Sequence, residues 1–133
     1  MNLYVDDIRK CPEGMELART NTKAIRILST QEIEVLSIDH DIAICNVGQK
    51  PFRAEILEET FCPTVYYVSL MPAERRPKKI ILHSSNPWGR RAMFQILTES
   101  GAYKPEEITI MSSSPYLTKE ELTEVAQDIL EGA

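Results

Sequence analysis

This sequence predicts an α/β fold built on a mostly parallel sheet with helices on both faces. Three observations lead there. Short β-branched and apolar runs, at 3–5, 33–38, 80–83 and 107–111, alternate with segments of helical periodicity, a pattern that implies parallel strands joined by crossover helices. Three of these runs end in polar clusters: Asp6-Asp7, Asp39-His40-Asp41 and His83-Ser84-Ser85-Asn86. Open α/β sheets gather their ligand groups just beyond the carboxyl ends of strands, so such clusters belong to that architecture. Finally, 133 residues with 43% hydrophobic and 26% charged content suit one globular domain with its own core, here 1–133.

The elements follow in order. Leu3, Tyr4 and Val5 favour extended structure, and the two acids after them end the strand. Pro12 and Gly14 break up the stretch from Ile8 to Arg19, which is expected to be a loop with a short helical turn. Ala24, Ile25, Ile27 and Leu28 form an apolar stripe that predicts a helix over 21–30. IEVLSI then reads as a strand ending at Asp39. Pro51 opens a predicted helix through Glu59, with Phe52, Ile56 and Leu57 inward. TVYYVSL has strand composition but equally fits a buried helix, and PAERRPKK reads as a charged surface connection.

The last third is more legible. IILH is a buried strand by composition. Asn86 caps a helix whose first residue is Pro87, where a missing N–H costs nothing. Trp88, Ala92, Met93, Ile96 and Leu97 form its expected core face, and Gly101 stops it. EITIM predicts a further strand. Thr118 and Glu121 make a capping box for a final helix that turns Leu122, Val125, Ala126, Ile129 and Leu130 to the core.

Charge and composition narrow the partners. Fifteen Lys plus Arg against 20 Asp plus Glu give a net charge of -5, which disfavours duplex nucleic acid while leaving room for a small anionic ligand in a local pocket. No stretch approaches 18 apolar residues, so neither a membrane span nor a secretory leader is expected. Cys11, Cys45 and Cys62 are odd in number and widely spaced, which fits a reducing, cytoplasmic setting. Cys45 and Cys62 read as small buried hydrophobes. With two histidines and no Cys-x-x-Cys, a closed zinc site is not expected. Size and charge allow a monomer or a homodimer.

The strand-end clusters carry the candidate chemistry. Asp6, Asp7, Asp39 and Asp41, if they converge, need a cation to offset their mutual repulsion, and hard divalent cations take oxygen ligands. His40 and His83 are the only histidines, each closing an apolar strand, and they are the candidates for proton transfer near neutral pH. In HSSNPWGRR the helix start offers backbone N–H groups, the Ser84 and Ser85 hydroxyls and the Asn86 side chain. Two arginines follow at once, Arg90 and Arg91, against the usual dipole preference; Arg90 is the candidate for a phosphate fork. Arg9 is placed either to meet a phosphate or to offset Asp7.

LYVDDIR near the start, LSIDHD in the middle and ILHSSNPWGRRAM in the third quarter together resemble the cyclic-phosphate processing receiver-like family, related in fold to the receiver domains of two-component signalling. The resemblance covers residues 3–100, and the order of the three motifs is what makes it specific. It implies a receiver-like (flavodoxin-like) sheet whose acidic pocket binds a divalent cation, magnesium or manganese. By the same resemblance Asp6 and Asp7 are metal acids, Asp39 or Asp41 takes the later acidic place, and Ser84 or Ser85 is the hydroxyl residue that meets a phosphoryl group. The family is associated with cyclic phosphates of nucleotides or processed RNA ends. The sequence departs from ordinary receivers at His40 and His83, and Ser112, Ser113 and Ser114 follow EITIM where a phosphoacceptor pocket takes its lysine. The family's glycine-tyrosine-aspartate stretch after the second acidic cluster is absent from Ile42 to Lys50.

The expectation is therefore a divalent-metal-dependent phosphoesterase that opens a cyclic phosphate. Asp6, Asp7, Asp39 and Asp41 supply the metal candidates, and His40, His83 and Asp39 the catalytic ones, with the two His roles interchangeable. Ser84, Ser85, Asn86, Arg90 and Arg9 are the phosphate-binding candidates. The alternatives are a module that binds or sequesters a cyclic nucleotide without turnover, and a regulatory receiver that takes phosphate onto Asp39 or Asp41.

Overall fold

The computed structural model describes residues 1–42 and 60–111, with Thr123, Ala126, Gln127, Leu130 and Glu131. Five strands form one parallel sheet in the order β2-β1-β3-β4-β5. They are β1 (Asn2–Val5), β2 (Glu16–Ala18), β3 (Val35–Ile38), β4 (Lys79–Leu82) and β5 (Ile108–Ile110). Among the described residues, α1 (Asn21–Thr30), α2 (Cys62–Leu70) and α3 (Pro87–Glu99) flank the sheet. From β2 onward the chain steps in one direction along the sheet, and right-handed crossovers then set α1, α2 and α3 over the same face. The packing of α2 against both α1 and α3 agrees with this. No helix among the described residues is long and apolar enough to cross a membrane.

Register explains both the core and the site. Leu3, Leu36, Ile80 and Ile108 lie side by side across the sheet, as do Val5, Ile38 and Leu82, and these pack beneath the helices. Alternate residues point the other way. Tyr4, Ser37 and Ile81 are in register there, and continuing the alternation past the strand ends sends Asp6, Asp39 and His83 to that same side. The ladder does continue: Asp39 N–H donates to Val5 O at 2.9 Å and His83 N–H to Ile38 O at 3.1 Å.

Local chemistry fixes the helices. Thr20 caps α1 by accepting from Lys23 N, and Ala24, Ile27 and Leu28 are buried. Asn86 caps α3, its Oδ1 accepting from Trp88 N and Gly89 N, both at 3.1 Å. Gly101, at φ 78°, ends that helix in the left-handed conformation. The start of α2 is capped by another helix: Asn21 Oδ1 accepts from Thr64 N at 3.2 Å and Thr64 Oγ1 at 2.6 Å, and Asn21 Nδ2 donates to Thr60 O at 2.9 Å.

Several expectations change. The predicted loop at 8–19 contains β2, a three-residue edge strand too short to show periodicity. It is reached through a turn in which Gly14 takes φ 83°. TVYYVSL is helical, because Pro63 sits comfortably in a first turn and Asn21 satisfies that turn's donors. Trp88 is 77% exposed, for the buried stripe of α3 is Gly89, Met93 and Leu97, and Trp88 lies off it. Ala126 and Leu130 are exposed and do not join the buried cluster, which is built from the strands and α1 to α3. PAERRPKK is only partly a surface link: Arg76 donates to Met71 O and Ala102 O, pinning it to α3's end. The predicted helix at 51–59, Cys45 and the Thr118/Glu121 capping box lie outside the described residues.

Candidate functional site

Three of the four predicted metal acids meet. Asp6, Asp7 and Asp39 are buried beyond the carboxyl ends of β1 and β3, each offering an oxygen within 4.8 Å of the others. Asp6 shapes the turn that builds the site. Its Oδ1 accepts from Ile8 N at 3.0 Å and Arg9 N at 2.9 Å, which curls the chain back over the strand end. That curl brings the Arg9 guanidinium inward, where one nitrogen donates to Asp6 Oδ2 and Asp39 Oδ2, both at 3.1 Å. Arg9 is thus a counter-ion to Asp6 and Asp39.

His83 completes the cluster. Its Nε2 lies 2.9 Å from Asp6 Oδ2 and its Nδ1 2.8 Å from Ser37 Oγ, while its ring stacks on Tyr4 with centroids 4.6 Å apart. An ionised carboxylate only accepts, so hydrogen-bonding logic assigns the proton to Nε2 and makes Ser37 the donor to Nδ1. Both ring nitrogens are therefore engaged in positioning Asp6. Tyr4 stays protonated, since burial and the Asp6 charge push its hydroxyl well above the ordinary value.

The two central acids are driven apart in acidity. Burial alone would raise Asp6, but the His83 hydrogen bond, the Arg9 and Ile8 N–H groups and the Arg9 charge outweigh it and hold the carboxyl below its usual value. Asp39 moves the other way: burial and the facing Asp6 charge raise it, and Arg9, the His40 N–H and His83 offset only part. Three carboxylates against one guanidinium leave two negative charges when all are ionised. That donor set, all carboxylate oxygen with a residual charge of two, fits a hard divalent cation such as magnesium or manganese.

Asp41 stands apart from this group. Its Oδ1 lies 3.0 Å from His40 Nδ1 and 3.4 Å from Asn86 Nδ2. The antiparallel bridge between Asp41 and Thr60 brings the start of α2 beside His40. Phe61 N–H donates to His40 O at 2.8 Å and locks the same pairing.

The loop from β4 to α3 satisfies much of its own polarity. Ser84 is fully buried and its Oγ accepts from Asn86 N at 3.0 Å; Arg90 donates to Ser84 O and clamps the loop from the helix. Ser85 is half-buried at the turn. The first N–H groups of α3 are held by Asn86. Two arginines after a helix start pointed to a nearby anion; the contact seen for Arg90 is instead with a carbonyl.

Sequence reasoning missed Tyr4 and Ser37. Both carried a faint signal, as polar side chains within short runs that are otherwise mostly apolar.

No curated protein and no solved structure matches the chain. A family model does, over residues 1–99: the cyclic-phosphate processing receiver domain. The match spans the strand ends that carry Asp6, Asp7, Asp39 and His83, along with the Ser84–Arg90 loop, and the parallel five-stranded sheet is the receiver arrangement. The chain belongs to the cyclic-phosphate processing receiver domain family.

Proposed function

We propose that the protein is a divalent-cation-dependent phosphoesterase that opens a cyclic phosphate on a nucleotide or an RNA-end product. The observation that carries this is the convergence of Asp6, Asp7 and Asp39 at the carboxyl edge of the sheet in a chain of this family. Those three carboxylates would hold the cation. Magnesium or manganese supplies charge neutralisation to a phosphoryl oxygen and makes water a better nucleophile. Asp6 stays ionised at neutral pH through its hydrogen bonds, and His83 with Ser37 keeps it oriented. His40, backed by Asp41, is the group with proton-transfer chemistry at the rim. The Ser84–Asn86 loop and Arg90 shape the wall against which the nonreacting oxygens would sit.

A binding module without turnover is the second reading, and one observation favours it: both nitrogens of His83 are occupied inside the protein. Phosphorus NMR separates the two. A nucleoside 2′,3′-cyclic phosphate is mixed with the protein and manganese or magnesium. Loss of the cyclic resonance with growth of a monoester, abolished in Asp39→Asn, is the expected result. A resonance that only broadens or shifts makes the binding module correct, and no change removes this substrate class. Transfer of phosphate from a small phosphodonor onto Asp39 would instead identify a regulatory receiver.

A further inference from the structure

We propose that Trp88 is a platform for a nucleobase at the mouth of the acidic crevice, so that the cyclic phosphate received there is carried by a nucleoside. The inference rests on the cyclic-phosphate reading above and narrows its substrate class to ligands that bear a base.

Trp88 is the chain's one tryptophan, and most of its side chain lies in water. A single exposed apolar side chain is ordinary on a protein surface; the place of this one is not. It is the second residue of α3, and that helix starts from the loop after β4, at the carboxyl edge of the sheet. Helical side chains lean toward the helix N-terminus, so an indole here reaches back over the edge where Asp6, Asp7 and Asp39 gather. The buried stripe of Gly89, Met93 and Leu97 turns α3 to the core. Trp88 is left on the opposite face with Arg91 and Gln95, three and seven residues on and both exposed.

The start of α3 is tied to the crevice. Trp88 N–H donates to Asn86 Oδ1 at 3.1 Å, and Asn86 Nδ2 reaches Asp41 Oδ1 at 3.4 Å. The next residue, Gly89, packs against the ring of His40, which follows Asp39 in the chain. The backbone that carries the indole is therefore held beside the strand ends.

This placement suits a base. Indole offers a large flat apolar face, and every nucleobase has a π face to lay on it. Arg91 sets a positive charge one turn along from the ring, on a chain whose net charge is -5. An anionic ligand with an aromatic base meets both side chains, whereas a bare sugar cyclic phosphate meets the phosphate site alone. A protein partner is a poorer fit, because the outer-face neighbours of Trp88 are polar and give it no apolar patch of interface size.

Two probes test this on the full chain with magnesium: adenosine 2′,3′-cyclic phosphorothioate and the base-free methyl riboside 2′,3′-cyclic phosphorothioate, the sulfur serving to slow turnover. With one tryptophan in the chain, intrinsic fluorescence reports on this position alone. Ligand-free protein should emit as a water-exposed indole. The adenosine probe should quench that emission, and the base-free probe should bind without quenching it. By calorimetry the adenosine probe should bind about tenfold to a hundredfold more tightly. Trp88→Ala should bring its affinity down to that of the base-free probe, and Trp88→Phe should keep part of the gap. Equal wild-type affinities, or a gap that survives Trp88→Ala, overturn the platform and leave the phosphate site standing. Blue-shifted emission from ligand-free protein also overturns it, since another surface then covers the indole. Binding of neither probe overturns the cyclic-phosphate reading and this inference with it. Should the variants fold poorly, the wild-type comparison of the two probes decides.

Discussion

Replacing Gly89 with alanine ought to stabilise an ordinary helix, yet here it should do the reverse. Alanine is better than glycine in a helix interior by about 1 kcal/mol. At this position the added Cβ would overlap the His40 ring and come within 2.8 Å of His40 Cβ. Rotating the ring cannot relieve the last contact, because Cβ lies on the axis of rotation. Either α3 moves off the sheet or the His40 backbone shifts, and overpacking of this kind costs about 1–3 kcal/mol. The shift also breaks the hydrogen bond that His40 makes to Asp41, at about 1 kcal/mol. The net is a loss of about 2 kcal/mol, or a Tm lower by about 8 °C at a typical 4 °C per kcal/mol for a domain this size. Thermal melts of Gly89→Ala, His40→Gly and the double variant form the decisive set. With both the ring and its Cβ gone the clash is gone, so Gly89→Ala should become stabilising by up to about 1 kcal/mol in the His40→Gly background. An equal shift in both backgrounds, or a Gly89→Ala protein that melts at or above wild type, refutes the reasoning.

Asp39→Asn should raise the Tm of the cation-free protein and abolish the stabilisation by magnesium or manganese, which for wild type at a hundredfold excess over Kd is about 2.7 kcal/mol. The pH dependence follows from the same group. Its folded-state acidity is weakened, so its contribution is fully present while the carboxyl is protonated in both states and is lost as pH rises through the raised value. Cation-free melts from the acid side toward neutrality should therefore show wild type falling further behind Asp39→Asn, and parallel curves would contradict this. Asn86→Ala removes the acceptor for two N–H groups at the start of α3 and should cost about 1 kcal/mol in denaturant unfolding, with m unchanged. Asn21→Ala strands the buried Thr64 hydroxyl and the Thr60 carbonyl, while Thr64 N–H keeps Phe61 O, and should cost about 2 kcal/mol, more than Asn86→Ala.

The parts of the fold that sequence reveals are those whose causes are local. The stripe of Ala24, Ile27 and Leu28, the Asn86-Pro87 start and the Gly101 stop each carry their own instruction, and each stands where it was expected. TVYYVSL shows the limit. Its β-branched and aromatic content is a weak preference, overridden by a cap that Asn21 supplies from another helix. The site divides in the same way. Acids at strand ends advertise themselves, and Asp6, Asp7 and Asp39 do meet. Whether Asp41 would join them depended on a single bridge to Thr60, which turns it toward His40 instead. The inward course of Arg9 was equally hidden, since it follows from two N–H bonds to Asp6 Oδ1.

That course has a consequence for how the acids meet any soluble ion. Arg9 is a tethered counter-ion, present beside Asp6 and Asp39 at an effective concentration that dilution cannot lower. The strand ends are therefore partly charge-compensated before any cation arrives. A divalent cation entering beside Arg9 would meet two uncompensated negative charges in place of three, so the guanidinium that holds the acids together would also temper their pull on an ion.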